Sequence, residues 1–274
     1  MKKYIFLFPL LFSAAAAAQS DMDPLAKSRK WHLNAASLSL GVTADTYNNL
    51  DMAYMRSFAR NNQLTKIDLS EYNQVVYASV AGANVGLDIS FKTGTDRDLH
   101  LNKWQREWQI GMDIQFDREA MIDYETKSDP PSFTSVTYCI LNNVIDLRAA
   151  YLLKLNTYHR FSPHIGIGGS VGKTFNNRFL FLNSTDQNFD GELGNYFGDD
   201  TIIYTGMTSF FYHVTVPLGI DYNFGNNMAL GLNSQIGLGV EKIKGGDTYF
   251  IPNNFQIGLS VKRYFNFHQG RWSM

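Results

Sequence analysis

Several common building materials are scarce in this chain. Its 274 residues include one cysteine, Cys139, so no intramolecular disulfide can form, and without a reactive setting a lone thiol says nothing about catalysis. Neither charge dominates: 24 Lys and Arg stand against 25 Asp and Glu, for a net charge of −1. That balance argues against nucleic acid as a partner, which calls for a strong basic excess. Beyond the N-terminus no long apolar run occurs, so any bilayer crossing must be made by strands. The mean hydropathy of −0.21 does not oppose this, because a barrel strand shows lipid only every second residue. Prolines number only 7, and no Pro/Ser-rich tract, charge block or low-complexity run divides the chain. One domain over residues 19–274 is the expectation.

The N-terminus has the form of a secretory signal. Lys2 and Lys3 precede the apolar run Tyr4–Phe12, and a tract of alanines ends at Ala18. Ala16 and Ala18 occupy the small-residue positions before a cut at Gln19, and the run is too short for a membrane anchor.

From Val144 to Gly172 two period-two runs are joined by a few polar residues, the pattern of a hairpin. Ile145, Leu147, Ala149, Tyr151 and Leu153 share one face of the first arm, opposite Asp146, Arg148 and Lys154. In the second arm Ile165, Ile167 and Val171 alternate with His164, Gly166, Gly168, Ser170 and Gly172. Charges mixed with glycines opposite an apolar face suit a narrow polar lumen with lipid outside.

Similar alternation recurs at 31–42, 83–91, 104–116, 212–222, 228–241 and 255–263. Together these runs predict an all-β fold: a transmembrane antiparallel up-and-down β-barrel of about eight strands. Residues 66–77 would bring the count to ten as an extra hairpin. Long links follow the first, third and fifth strands and short ones the second, fourth and sixth. Barrels with periplasmic termini, short inner turns and long extracellular loops show this asymmetry. Loops are expected at 118–133, where Pro130-Pro131 cannot continue a ladder, and at 173–204. Within the first insert Tyr47, Leu50, Tyr54 and Phe58 recur at helical spacing. Two readings stand for that stripe, a helix packing on the barrel mouth and a partner-binding helix. Trp31, Trp104, Trp108, Tyr138, Tyr222, Phe224, Tyr264 and Phe265 lie near strand ends, where interfacial girdles form.

The hairpin at 144–175 and the run VTVPLGIDYNFGNNMALGLNSQIGLGV resemble the outer-membrane β-barrel domain of many Bacteroidota proteins, the porin-family or PorT-like type. The resemblance implies location and fold, and transfers no catalytic residue. It implies outer-membrane lipid and the barrel-assembly machinery as partners.

The inward face is expected to carry Asp88, Asp113, Asp146, Arg148, Lys154, Asp221, Glu241 and Lys262. Charges enclosed at low dielectric must pair, and the same set would serve a gate or proton path in a narrow pore. A lipid-modifying barrel enzyme needs an acid/base residue near the outer rim. His213 is the candidate, with Ser209 the nearest serine and Asp146 a possible orienting carboxylate. Asp186, Asn188 and Asp190 followed by Gly191 reproduce the first half of a calcium loop, while Phe197 stands where its closing glutamate belongs. Calcium, held weakly, is thus the one cofactor the sequence suggests, against an acidic solvated loop tip. Three roles stay open: non-enzymatic binding of an extracellular or envelope protein ligand, or assembly, through the loops; a narrow channel; and a barrel enzyme acting on lipid.

Overall fold

In the computed structural model the described residues are 31–48, 50–60, 68–70, 72–76, 79–93, 104–126, 134–155, 160–185, 201–224 and 227–265. The signal segment and Asp186, Asn188 and Asp190 lie outside them. Ten strands and one helix follow in order: β1 (Trp31–Thr46), α1 (Met52–Phe58), β2 (Tyr72–Val76), β3 (Ser79–Thr93), β4 (Trp104–Thr126), β5 (Thr134–Leu155), β6 (Phe161–Thr185), β7 (Thr201–Thr205), β8 (Ser209–Phe224), β9 (Met228–Ile243) and β10 (Thr248–Tyr264). Among the described residues no helix is long and apolar enough to cross a membrane.

Eight strands close into a ring, β1–β3–β4–β5–β6–β8–β9–β10, every pairing antiparallel. β2 and β7 stand outside the ring, on the upper parts of β4 and β6. The predicted eight-stranded ring is present, whereas the extra hairpin expected at 66–77 is a single strand, β2, paired to β4, and β7 lies in the predicted loop at 173–204.

The ring is inside out. On β8, Tyr212, Val214, Val216, Leu218 and Ile220 face outward and are exposed, while His213, Thr215 and Asp221 are buried within. β9 presents Leu230, Leu232, Ile236 and Leu238 to the outside in the same manner. From Leu230 to Val240 is ten residue steps, which at about 3.4 Å per step and a tilt near 40° gives a band about 26 Å tall, the thickness a bilayer core requires. The fold is a membrane-spanning β-barrel.

Two predicted loops are largely strand. β4 runs to Thr126, β5 starts at Thr134 and β6 continues to Thr185, so these strands rise well above the belt. Bulges mark the departure. The β4–β5 register shifts between Gln115 and Arg118, and Asp117 there has φ 49°. The β5–β6 register shifts between Leu141 and Asn143, opposite Asn176 with φ 50°. Each bulge inserts one residue and reverses which parity faces inward. Below it Asp113 and Gln115 are buried; above it Arg118, Ala120, Ile122 and Tyr124 are. The interior changes character at the same level. Ala120, Ile122, Val136, Tyr138, Ile140, Phe179 and Phe181 form an apolar core inside the raised part. Water outside the rim demands apolar residues within, and lipid outside the belt demands the opposite.

Two of the expected girdle aromatics have other places. Tyr138 belongs to the upper inner core, and Tyr264 turns into the lumen. The girdle at the lower end is built by Trp31, Trp108 and Tyr151, stacked edge to face at 6.3 and 5.1 Å, and by Phe161, Tyr222 and Phe224.

Candidate functional site

The first insert returns to the barrel and stops its mouth. Asp51 caps α1 by accepting from the Tyr54 amide at 3.0 Å, and the chain leaves the helix at Ala59 in extended conformation. Of the residues expected at helical spacing, only Tyr54 and Phe58 lie on α1, with Tyr47 and Leu50 in the chain before it, and all four are buried in the inner core together with Met55. Of the two readings of this stripe, inward packing is the one the structure realises. Tyr54 stacks on Tyr249 at 4.8 Å, and the Met207 amide donates to the Phe58 carbonyl at 3.0 Å.

Beneath α1 the lumen side chains are joined in three tiers. In the upper tier Glu241 accepts from Tyr47 Oη at 2.6 Å, Tyr54 Oη at 3.1 Å and Ser209 Oγ at 2.6 Å. Arg118 is bonded to the Tyr47 hydroxyl and pairs with Asp45 at 3.2 Å, with its guanidinium 4.5 Å above the Phe211 ring. Burial pushes both tyrosines well above the ordinary phenol value. For Tyr47 Arg118 is the main opposing influence, whereas for Tyr54 Glu241 adds to the rise and Arg118 opposes it. Both hydroxyls therefore keep their protons and donate.

In the middle tier Arg148 grips Asp88 with two nitrogens, at 2.8 and 2.6 Å, and also bonds Asp113. Gly86 makes room for this pair: a Cβ there would meet the Asp113 carboxylate and lie 3.1 Å from Arg148 Nη2. Asp146 accepts from Gln115 at 2.8 Å. In the lower tier Asp221 holds Lys154 at 2.5 Å and Lys262 at 2.9 Å, and Lys154 also donates to Tyr264 at 2.7 Å. A small cavity lies between the lower two tiers, lined by Ser37, Asn84, Asp88, Arg148, His164 and Lys262 among others.

Of the lumen charges expected from sequence, Asp88, Asp113 and Arg148 form one ion-paired group and Lys154, Asp221 and Lys262 another, Glu241 lies 3.9 Å from Arg118, and Asp146 is held by Gln115 instead of a cation; Asp45 and Arg118 are added to the set. Arg118 was hidden because it sits in a stretch whose broken alternation reads as loop. His213 faces inward, but its neighbours differ from those considered. Ser170 Oγ lies 3.3 Å from Nδ1 and Asp45 Oδ1 lies 3.9 Å from Nε2, whereas Ser209 bonds Glu241 and Asp146 bonds Gln115. Stacked on Phe211 below the stopped mouth, this imidazole has the setting of a packed lumen residue. His164 lies low in the lumen, near the Lys262 tier. Among the described residues no group of three or more His, Cys, Asp or Glu side chains is arranged to hold a metal ion.

Together the outward apolar belt, the ion-paired lumen and the closed ring define a membrane barrel with a stoppered mouth. No protein-family model matches the chain, and no curated protein does. Among solved structures it is similar to Neisserial surface protein A, with 9% identity over 86% of this chain and 99% of that one and a TM-score of 0.36. It is also similar to the outer membrane protein OprG from Pseudomonas aeruginosa, at 12% identity over 85% and 97% of the two chains and a TM-score of 0.35. A major outer membrane protein from Thermus thermophilus gives 10% identity over 84% and 99%, with a TM-score of 0.31. At these values no role passes from them to this chain, and the reading below rests on its own geometry.

Proposed function

We propose that this chain is an integral protein of the bacterial outer membrane that binds or organises a partner through its outer rim and neither conducts freely nor catalyses a reaction. In this reading the segment ending at Ala18 is removed on export, both termini lie in the periplasm, and β4–β6 with β2 and β7 rise outside the cell. The Bacteroidota porin-family or PorT-like assignment belongs to the same proposal, supported by the runs at 144–175 and 214–240. A partner there would be an extracellular or envelope protein; outer-membrane lipid and the barrel-assembly machinery follow from the location.

The stoppered mouth carries the proposal. An eight-stranded ring leaves an interior just filled by side chains. Here α1 occupies its upper end, with Tyr47 and Tyr54 bonded to Glu241 above the tiers of ion pairs. The rigid raised sheet above the belt is a larger platform than loops alone would give. Planar-bilayer recording tests the reading: the intact protein is expected to give no steady conductance, and a variant lacking residues 47–59 to give discrete steps. Large steps from the intact protein would overturn it.

A narrow channel is the second reading, favoured by the cavity between Arg148 and Lys262. It requires α1 to leave the mouth, and small gated steps abolished by tethering α1 to β9 would favour it.

A further inference from the structure

The upper edge of the apolar belt is not uniform around the barrel. On β6 the outward side chains run Ile165, Ile167, Val171 and then Lys173. On β9 they run Leu230, Leu232, Ile236, Leu238 and Val240, ending at Lys242. On β8, which separates these two strands, the outward row ends at Tyr212 and then Phe210. The ladders set the three end residues side by side: Lys173 opposes Phe210, and Phe210 opposes Lys242. Two strand spacings put the lysine backbones about 10 Å apart. Lys173 Nζ rests 5.8 Å from the centre of the exposed Phe210 ring, and Lys244 adds a third exposed cation just beyond Lys242. Among the described residues no carboxylate lies within ion-pair distance of these lysines. Of the acidic residues at this end, Asp117 and Glu119 face outward on β4, and Asp247 lies in the turn after β9, beyond Lys244.

A cationic row directly above an apolar wall is complementary to an amphiphile with an anionic head. Burial in the bilayer fixes the chemistry further, because the molecule must lay acyl chains on Val171, Tyr212 and Val240 while its headgroup meets the ammonium groups. We propose that Lys173, Phe210 and Lys242 form a binding site for a phosphorylated lipid of the leaflet at the rim end of the barrel. The two lysines hold phosphate oxygens, and Phe210 forms the floor between them at the boundary of the acyl region. The proposal rests on the membrane placement argued above, which makes that leaflet the outer one and a bis-phosphorylated glycolipid the natural occupant.

The test uses the full-length mature barrel refolded in neutral detergent and titrated with bis-phosphorylated lipid A, with retained lipid counted by native mass spectrometry. The intact barrel is expected to retain one lipid A, and K173Q/K242Q to lose it by roughly ten-fold or more. K173R/K242R is expected to keep it, and so is R106Q/R263Q, whose changes lie at the opposite edge of the belt. Equal retention by the intact barrel and K173Q/K242Q would overturn the site, as would displacement of the lipid by millimolar inorganic phosphate alone. A heat-dependent mobility shift on each variant separates loss of the site from loss of the barrel. If the intact protein fails to insert into liposomes, the membrane placement fails instead.

Discussion

The Tyr47 hydroxyl lies 2.6 Å from Glu241 Oε2, joining residues 194 positions apart. Tyr54 reaches the same oxygen at 3.1 Å, so one carboxylate near the top of β9 holds both the start of the inserted segment and the middle of α1. Hydrogen bonds to a charged group contribute about 1.5–3 kcal/mol each. Replacing Glu241 with alanine removes both, and leaves Asp45 as the one carboxylate paired with Arg118 among the described residues. E241A is expected to shift docking of α1 by on the order of 3 kcal/mol, opening the mouth for part of the time. Intermittent conductance steps in planar bilayers, absent from the intact protein, are the readout.

The same contacts predict an alkaline transition. Released from the mouth, Tyr47 and Tyr54 titrate near the ordinary value of about 10; docked, burial holds both well above it. The docked state then binds more protons than the released state above that pH, so docking weakens as pH rises. Docking should be constant through neutral and mildly alkaline pH and fall above about pH 10. Y47F/Y54F removes the titrating groups and should flatten the transition. Protease access to the link at residues 59–60, followed across pH, measures it.

The ring was legible because period-two alternation survives wherever one wall of a strand meets lipid. Leu230 through Leu238 on β9 and Ile145 through Leu153 on β5 illustrate it. The raised sheet was illegible for a specific reason. At Asp117 and Asn176 a bulge shifts the phase by one residue, just where the environment outside changes from lipid to water. Read without that shift, the stretch from Arg118 to Thr126 looks like the end of a strand followed by a loop. The inner core gave no separate signal either, since Tyr138 near a strand end matches an interfacial girdle as well as a buried cluster. Of the candidate site, the lumen charges were readable from parity, while their partners came from strands far apart in sequence.

The middle tier makes a prediction about stability. Arg148 serves both Asp88 and Asp113, and its removal leaves two buried carboxylates unpaired. R148M is expected to cost about 3–5 kcal/mol. Adding D88N and D113N should recover much of this, because no charge is then left without a partner. The urea midpoint of the detergent-folded barrel, followed by the heat-dependent mobility shift, reports both changes.

The bulge itself can be tested at Asn176, whose φ of 50° lies in the left-handed region. Asparagine tolerates that conformation and a β-branched residue does not. N176V is expected to destabilise the raised sheet by about 1–2 kcal/mol, whereas N176G should leave it unchanged or slightly firmer. The neighbouring Asn177 anchors the bulge, its carbonyl accepting from the Gly206 amide at 2.9 Å and its side chain donating to Thr208 at 3.3 Å. Strain at 176 should therefore loosen β7 and the upper part of β6 while the ring below keeps its pairings. Amide hydrogen exchange reads the difference: N176V should speed exchange at 178–182 and 201–205 and leave β9 protected. Faster exchange throughout the ring would show that the bulge supports the barrel and not the rim alone.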